Sequence, residues 1–277
     1  MPRTIRTLAE SEVETLVDWA ALEGWNPGLG DAAVFRAADP DGFIGAFVDG
    51  EMVAGISAVA YDNDFGFIGL YICRPDMRGK GHGKAVWDAG MARLGSRTIG
   101  LDGVAEQQAN YRSMGFVPTY DTVRYSGRAA NLASGGDIRP VTPDLAVDIL
   151  AYDRRCFPAP RQAFLQGWLQ PPRRALATVN SGRISGYGVA RPCRDGFKIG
   201  PLFADNMGIA LQLVTGLTGL QASDTLHIDA PATNGGFIGA LEAAGLSPGF
   251  TTTRMYRGGV PGTASSKVFG ITTPELG

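Results

Sequence analysis

The stretch Gly69–Lys84 gathers residues whose types and order suit the capture of an anion. An apolar run, Gly69-Leu70-Tyr71-Ile72-Cys73, reads as a strand, and Pro75-Asp76 reads as a turn. Arg78-Gly79-Lys80-Gly81-His82-Gly83 then runs into a helix. Backbone N–H groups at a helix start converge on one spot, and the helix dipole favours negative charge there. Glycines allow close approach and admit positive φ. A phosphate or pyrophosphate is the natural guest.

Spacing narrows the choice. A P-loop needs a glycine five residues before its Gly-Lys pair and Ser or Thr after it. Here Arg78 and Ala85 stand in those places. The dinucleotide pattern G-x-G-x-x-G fails as well, because the glycines fall at 79, 81 and 83. What fits is Arg-x-x-Gly-x-Gly through Arg78, Gly81 and Gly83, with Pro75 just upstream. Downstream, the strand Thr98–Asp102 precedes Tyr111-Arg112-Ser113-Met114-Gly115-Phe116.

Together these motifs resemble the GNAT superfamily of N-acetyltransferases. The resemblance implies acetyl-CoA as co-substrate, held along Tyr71, Ile72 and Cys73 and by the loop Arg78, Gly79, Lys80, Gly81, His82 and Gly83. It further implies that Tyr111 lies near the CoA sulfur and acts as general acid, since a departing thiolate needs a proton. The family often carries Asn where this chain has Val104, and Gln107 or Gln108 is the substitute at hand. Cys73 stands where the family usually has an apolar residue, which argues against a covalent ping-pong route.

Composition sets the frame. A 277-residue chain with 44% hydrophobic and 19% charged residues is globular and long enough for two small domains. Its net charge of −2 points away from nucleic acid and from anionic membrane surfaces. Three cysteines without metal-ligand spacing read as thiols of a reducing cytoplasm. With only His82 and His227, no metal site is expected. No apolar run is long enough for a membrane span, so a cytoplasmic protein is expected, free or as a homodimer.

The chain also repeats itself. Ile5-Arg6 matches Ile138-Arg139, Gly50 matches Gly182, Gly69 matches Gly200, Asp102 matches Asp229, Gly115 matches Gly245 and Tyr125 matches Tyr256, in one order and about 130 residues apart. The expected fold is therefore α/β (α+β): two tandem GNAT-like domains, each a mixed twisted sheet flanked by helices. Residues 1–128 form the catalytic domain, 129–136 a linker, 137–258 a degenerate copy and 259–277 a tail, disordered or laid across the surface. Strands are expected at Phe43–Val48, Met52–Tyr61 and Phe65–Cys73. Helices are expected at Glu12–Leu22 behind a Ser11 cap, at Lys84–Leu94 and at Leu145–Arg155. In the second copy Ile209, Gln212 and Val214 replace the loop residues and Leu241 replaces Tyr111, so that half should bind no CoA.

For the acceptor, the resemblance points to the loop after the first helix, with Glu23, Trp25 and Asn26 as pocket residues. A Trp beside a carboxylate suits a cationic amine. Asp62 and Asp64, just before the strand Phe65–Cys73, are candidates for the base that takes a proton from the amine, as is Asp102, and Arg161 or Arg191 would read an acidic group on the substrate. The expected activity is direct acetyl transfer to a small primary amine through a tetrahedral intermediate. A CoA-binding sensor without turnover and a transferase for a longer acyl group are the alternatives.

Overall fold

The computed structural model describes residues 3–128, 132, 137–219 and 225–277. The first half runs β1 (Arg3–Thr7), α1 (Glu10–Leu22), α2 (Asp31–Ala38), β2 (Phe43–Val48), β3 (Glu51–Ala60), β4 (Phe65–Cys73), α3 (His82–Leu94), β5 (Thr98–Val104), α4 (Gln108–Ser113) and β6 (Val117–Gly127). The second repeats this order: β7 (Ile138–Pro140), α5 (Ala146–Cys156), α6 (Gln162–Trp168), β8 (Arg174–Asn180), β9 (Arg183–Pro192), β10 (Phe197–Ala204), α7 (Met207–Thr218), β11 (Leu226–Pro231), α8 (Gly235–Ala243) and β12 (Ser247–Arg257). One further strand, β13 (Val268–Gly270), follows. The expected linker lies outside the described residues except for Leu132.

The two half-sheets join into one, and they do so by exchanging their last strands. The order is β1-β2-β3-β4-β5-β12-β6-β11-β10-β9-β8-β7. Strand β12 of the second half pairs with β5 of the first, while β6 of the first pairs with β11 of the second. At the centre Thr122 faces Thr252, its own counterpart in the repeat, so a pseudo-two-fold axis passes between them.

Alternation along the strands divides the side chains between two layers. In β2, Phe43 and Phe47 face α1, α2, α5 and α6, where Val13, Leu16, Phe35, Phe164 and Trp168 form one core shared by both halves. Ile44 and Ala46 face α3, whose Val86, Trp87 and Leu94 are buried. Helices α7 and α8 cover the same sheet face in the second half.

Two expectations need correction. Helix α1 begins after Ala9, not Ser11, because the Glu12 carboxylate reaches back to the Ala9 N–H at 2.7 Å and fills the role of a cap. The tail is neither disordered nor superficial from Val268 onward. Its apolar residues Val268, Phe269, Ile271 and Leu276 are buried, and β13 pairs with β10. Ile271 N–H also donates to Asp229 O of β11 at 3.0 Å, so the tail fills the divergence between β10 and β11.

Candidate active site

In the first half, β4 and β5 pair in parallel only through Ile68 and Leu101. Leu70 takes a left-handed conformation (φ 46°) where the β3–β4 register shifts. Past that point the strands separate and open a cavity of about 60 Å³ through the sheet. Tyr71, Tyr111, Val104 and Gln107 of the first half line it together with Trp25, Phe250, Thr252 and Pro274.

The glycine loop sits beside this gap. Gly79 and Gly81 hold φ of 76° and 79°, values that glycine adopts without strain, and Gly81 begins α3 without a side-chain cap hydrogen bond, the Gly83 N–H alone being turned to the Cys73 thiol. A Cβ on Gly79 would meet nothing within 4 Å, so the loop stands open. At the corresponding helix of the second half, Asn206 accepts from the Ile209 N–H at 3.1 Å and closes the helix start with the chain's own side chain. Open amides, exposed Lys80 and Arg78, and a gap leading inward fit the phosphates and arm of a CoA thioester.

Tyr111 lies on α4 and stacks on Trp87 at 5.4 Å, and Tyr71 also meets Trp87 at 5.4 Å, tilted by 57°. Its hydroxyl has no hydrogen-bond partner among the described residues, and the ring borders the cavity. Burial, and secondarily the nearby Tyr71, pushes the Tyr111 phenol far above its ordinary range, so it carries its proton at neutral pH. Burial raises Tyr71 as well. Burial likewise raises the Cys73 thiol against the opposing pull of Arg78, which leaves it a poor nucleophile.

The structure brings Trp25, Asp102 and the predicted cofactor contact Gln107 to the cavity and carries the other predicted acceptor residues elsewhere. Glu23 pairs with Arg78 on the side of the glycine loop. Asn26 ties the first half to the second, donating to Asp195 O at 3.0 Å. Asp64 sits in the turn before β4, at the opposite end of that strand, beside Asp62, which accepts its N–H at 2.9 Å. Arg161 and Arg191 are buried, the former bidentate to Asp153 at 2.9 and 2.6 Å, the latter on Asp31 at 3.1 Å, so neither faces a substrate. Gln108 donates to Thr253 at 2.8 Å.

Sequence reasoning missed Phe250, Thr252 and Pro274. The first two arrive through strand exchange and the third through the tail, neither of which has a local signal. Pro274 is held because Glu275 O lies where a Cβ on Gly69 would be, 2.0 Å away, and accepts from the Ser57 hydroxyl at 3.2 Å.

Residues 8–117 match the acetyltransferase (GNAT) family, and residues 149–270 match the acetyltransferase (GNAT) domain. The whole chain aligns with the holothin acyltransferase of Pseudoalteromonas sp. (strain SANK 73390), 32% identical over 99% of this chain and 94% of the relative. This chain belongs to the GNAT family. It is an acyltransferase of the tandem GNAT type. Among solved structures, a putative acetyltransferase from Pyrococcus horikoshii superposes with a TM-score of 0.83 at 23% identity, over 99% of this chain and 96% of that one. A tandem GNAT protein from the clavulanic acid biosynthesis pathway superposes at 0.63 and 15%, over 94% and 99%. Both share the fold. In this GNAT chain the second half keeps a cavity of about 420 Å³ at the equivalent place, but its cofactor gap is filled by β13.

Proposed function

We propose that the chain transfers a short acyl group, acetyl first among them, from acyl-CoA to the nitrogen of a small primary amine at the first-half site. The single observation that carries this is Tyr111: a protonated phenol, unpartnered among the described residues, at the mouth of the β4–β5 gap beside an open glycine loop. Gly79 to Gly83 bind phosphate through backbone amides, and Arg78 adds charge. The amine nitrogen attacks the thioester carbon directly, the carbon–sulfur bond breaks, and Tyr111 gives its proton to sulfur. The raised Cys73 thiol supports a route without an acyl-enzyme.

No helix among the described residues is long and apolar enough to cross a membrane. Cys73, Cys156 and Cys193 are unpaired, in keeping with the reducing cytoplasm in which we place the protein. Because a relative is a holothin acyltransferase, holothin is the first acceptor to assay. The test is CoA release with acetyl-, propionyl- and longer acyl-CoA against holothin and a panel of amines. Tight acetyl-CoA binding without turnover on any of them would instead support the sensor.

A further inference from the structure

We infer that the acceptor enters this site as an uncharged, weakly basic amine on a planar conjugated scaffold, not as an alkylammonium ion. The inference rests on the amine acylation proposed above and narrows its substrate class. An alkylamine resembling the lysine side chain is about 99.9% protonated at neutral pH and needs a carboxylate to hold it and a base to uncover its lone pair. Among the described residues lining the cavity the one carboxylate is Asp102. Its side chain is fully buried and both its oxygens are taken by Arg254, at 2.7 and 2.9 Å. The other ionisable groups lining the cavity are Tyr71 and Tyr111, both protonated phenols.

The charges behind the Trp25 wall are engaged with one another. The Trp25 carbonyl accepts from Arg124 at 2.8 Å and from Lys198 at 3.2 Å, which sets two cations behind that wall. Asp229 answers Arg124 with two bonds of 2.7 and 2.9 Å and stands 3.9 Å from Lys198, and the buried Glu275 carboxyl is the second acid of this cluster, so its charges are spoken for within the protein. The Arg124 guanidinium also lies over the Phe250 ring, 5.2 Å from its centroid. An ammonium ion would meet no free carboxylate in the described lining of the cavity. Trp25, Phe250 and Pro274 are flat, apolar walls that suit a planar ring, and conjugation with a ring is what keeps an amine neutral. With such an acceptor the nitrogen–carbon bond forms, the carbon–sulfur bond breaks, sulfur takes the Tyr111 proton, and the proton shed by nitrogen goes to water, which reprotonates Tyr111. No protein base is required.

The experiment compares matched amines on the full chain at saturating acetyl-CoA: aniline and aminothiazole against their aminomethyl counterparts, with CoA release followed from about pH 6 to about pH 9. The expected result is a pH-independent kcat/KM for the conjugated amines. Their aminomethyl counterparts should be slower at neutral pH and climb about tenfold per pH unit with the neutral fraction. Faster reaction of the aminomethyl compounds at neutral pH, or a plateau well below their own pKa, would overturn the inference and reveal a base acting on a bound ammonium. Failure of both series with holothin also inert, while calorimetry still shows acetyl-CoA bound, would overturn the acylation itself.

Discussion

Arg254 of the second half holds Asp102 of the first through two hydrogen bonds, at 2.7 and 2.9 Å, and neither side chain is open to water. The repeat makes a second such pair. Arg124 of the first half holds Asp229 of the second, again at 2.7 and 2.9 Å. Each arginine comes from an exchanged strand and each aspartate from the strand it crossed over to reach. A register slip of one residue would turn the arginine to the other face and leave the aspartate buried alone, so the two pairs fix where the exchanged strands lie.

Removing one partner should therefore cost far more than removing both. Arg254→Met leaves an uncompensated buried carboxylate and is expected to destabilise the fold by about 3–5 kcal/mol. The double change Arg254→Met with Asp102→Leu should recover much of that, because well-packed apolar residues replace buried ion pairs at little cost. Urea unfolding of the three proteins checks this, and a double variant no more stable than the single one would refute it.

Acid should act on the second pair in a definite direction. Burial tends to raise the Asp229 carboxyl, but Arg124, Lys198 and Arg191 outweigh it and hold it well below the usual carboxylate range. A carboxyl depressed in the folded state contributes stability above its unfolded pKa, about 3.9, and loses it as the pH falls towards the folded value. Urea midpoints should accordingly be level near neutrality and fall steadily below about pH 4. In Asp229→Asn that acid-side slope should be shallower.

Tyr111→Phe should leave acetyl-CoA affinity unchanged and lower turnover by roughly 10²–10⁴-fold, the usual worth of a general acid. Tyr71→Phe is the comparison, since Tyr71 is the other protonated phenol lining the cavity and lies on β4, not on α4. Because burial holds the Tyr111 proton, the wild-type rate should show no loss of acid function up to about pH 9. Equal rates for Tyr111→Phe and wild type would leave water as the proton donor.

How much of this was legible beforehand depends on whether the signal is local. The glycine loop, the strand before it and the Tyr111 helix are contiguous segments with fixed spacing, and the structure assembles them around one gap. Apolar periodicity placed β2 and β4 to the residue and α3 to within a turn, because those elements bury a continuous stripe. Strand exchange carries no such mark: β6 and β12 have the same pattern whichever half they complete. The tail's apolar residues were visible, but what they pack against, Gly69, Ser57 and the strands β10 and β11, is more than 35 residues away at the nearest. Charged candidates fared worst. Glu23, Arg161 and Arg191 each found a partner of opposite sign, which depends on the three-dimensional neighbourhood alone.

The chain should bind one acetyl-CoA, not two. In the first half the amides at the start of α3 are open, Gly79 and Gly81 supply the left-handed turns, and the β4–β5 gap leads inward. In the second half Asn206 caps α7, Ile209 and Val214 lie inside that helix and not in a glycine loop as the sequence repeat suggested, and Leu241 lies fully buried where the first half has Tyr111. Strand β13 then occupies the divergence of β10 and β11, held by the Asn234 side chain donating to Val268 O at 2.6 Å. Calorimetric titration is expected to give a stoichiometry near one per chain. Gly81→Asp adds a Cβ at φ 79° and a negative charge at the loop, so it should abolish that single event. A second binding event that survives Gly81→Asp would show that the tail yields its place and that both halves accept the cofactor.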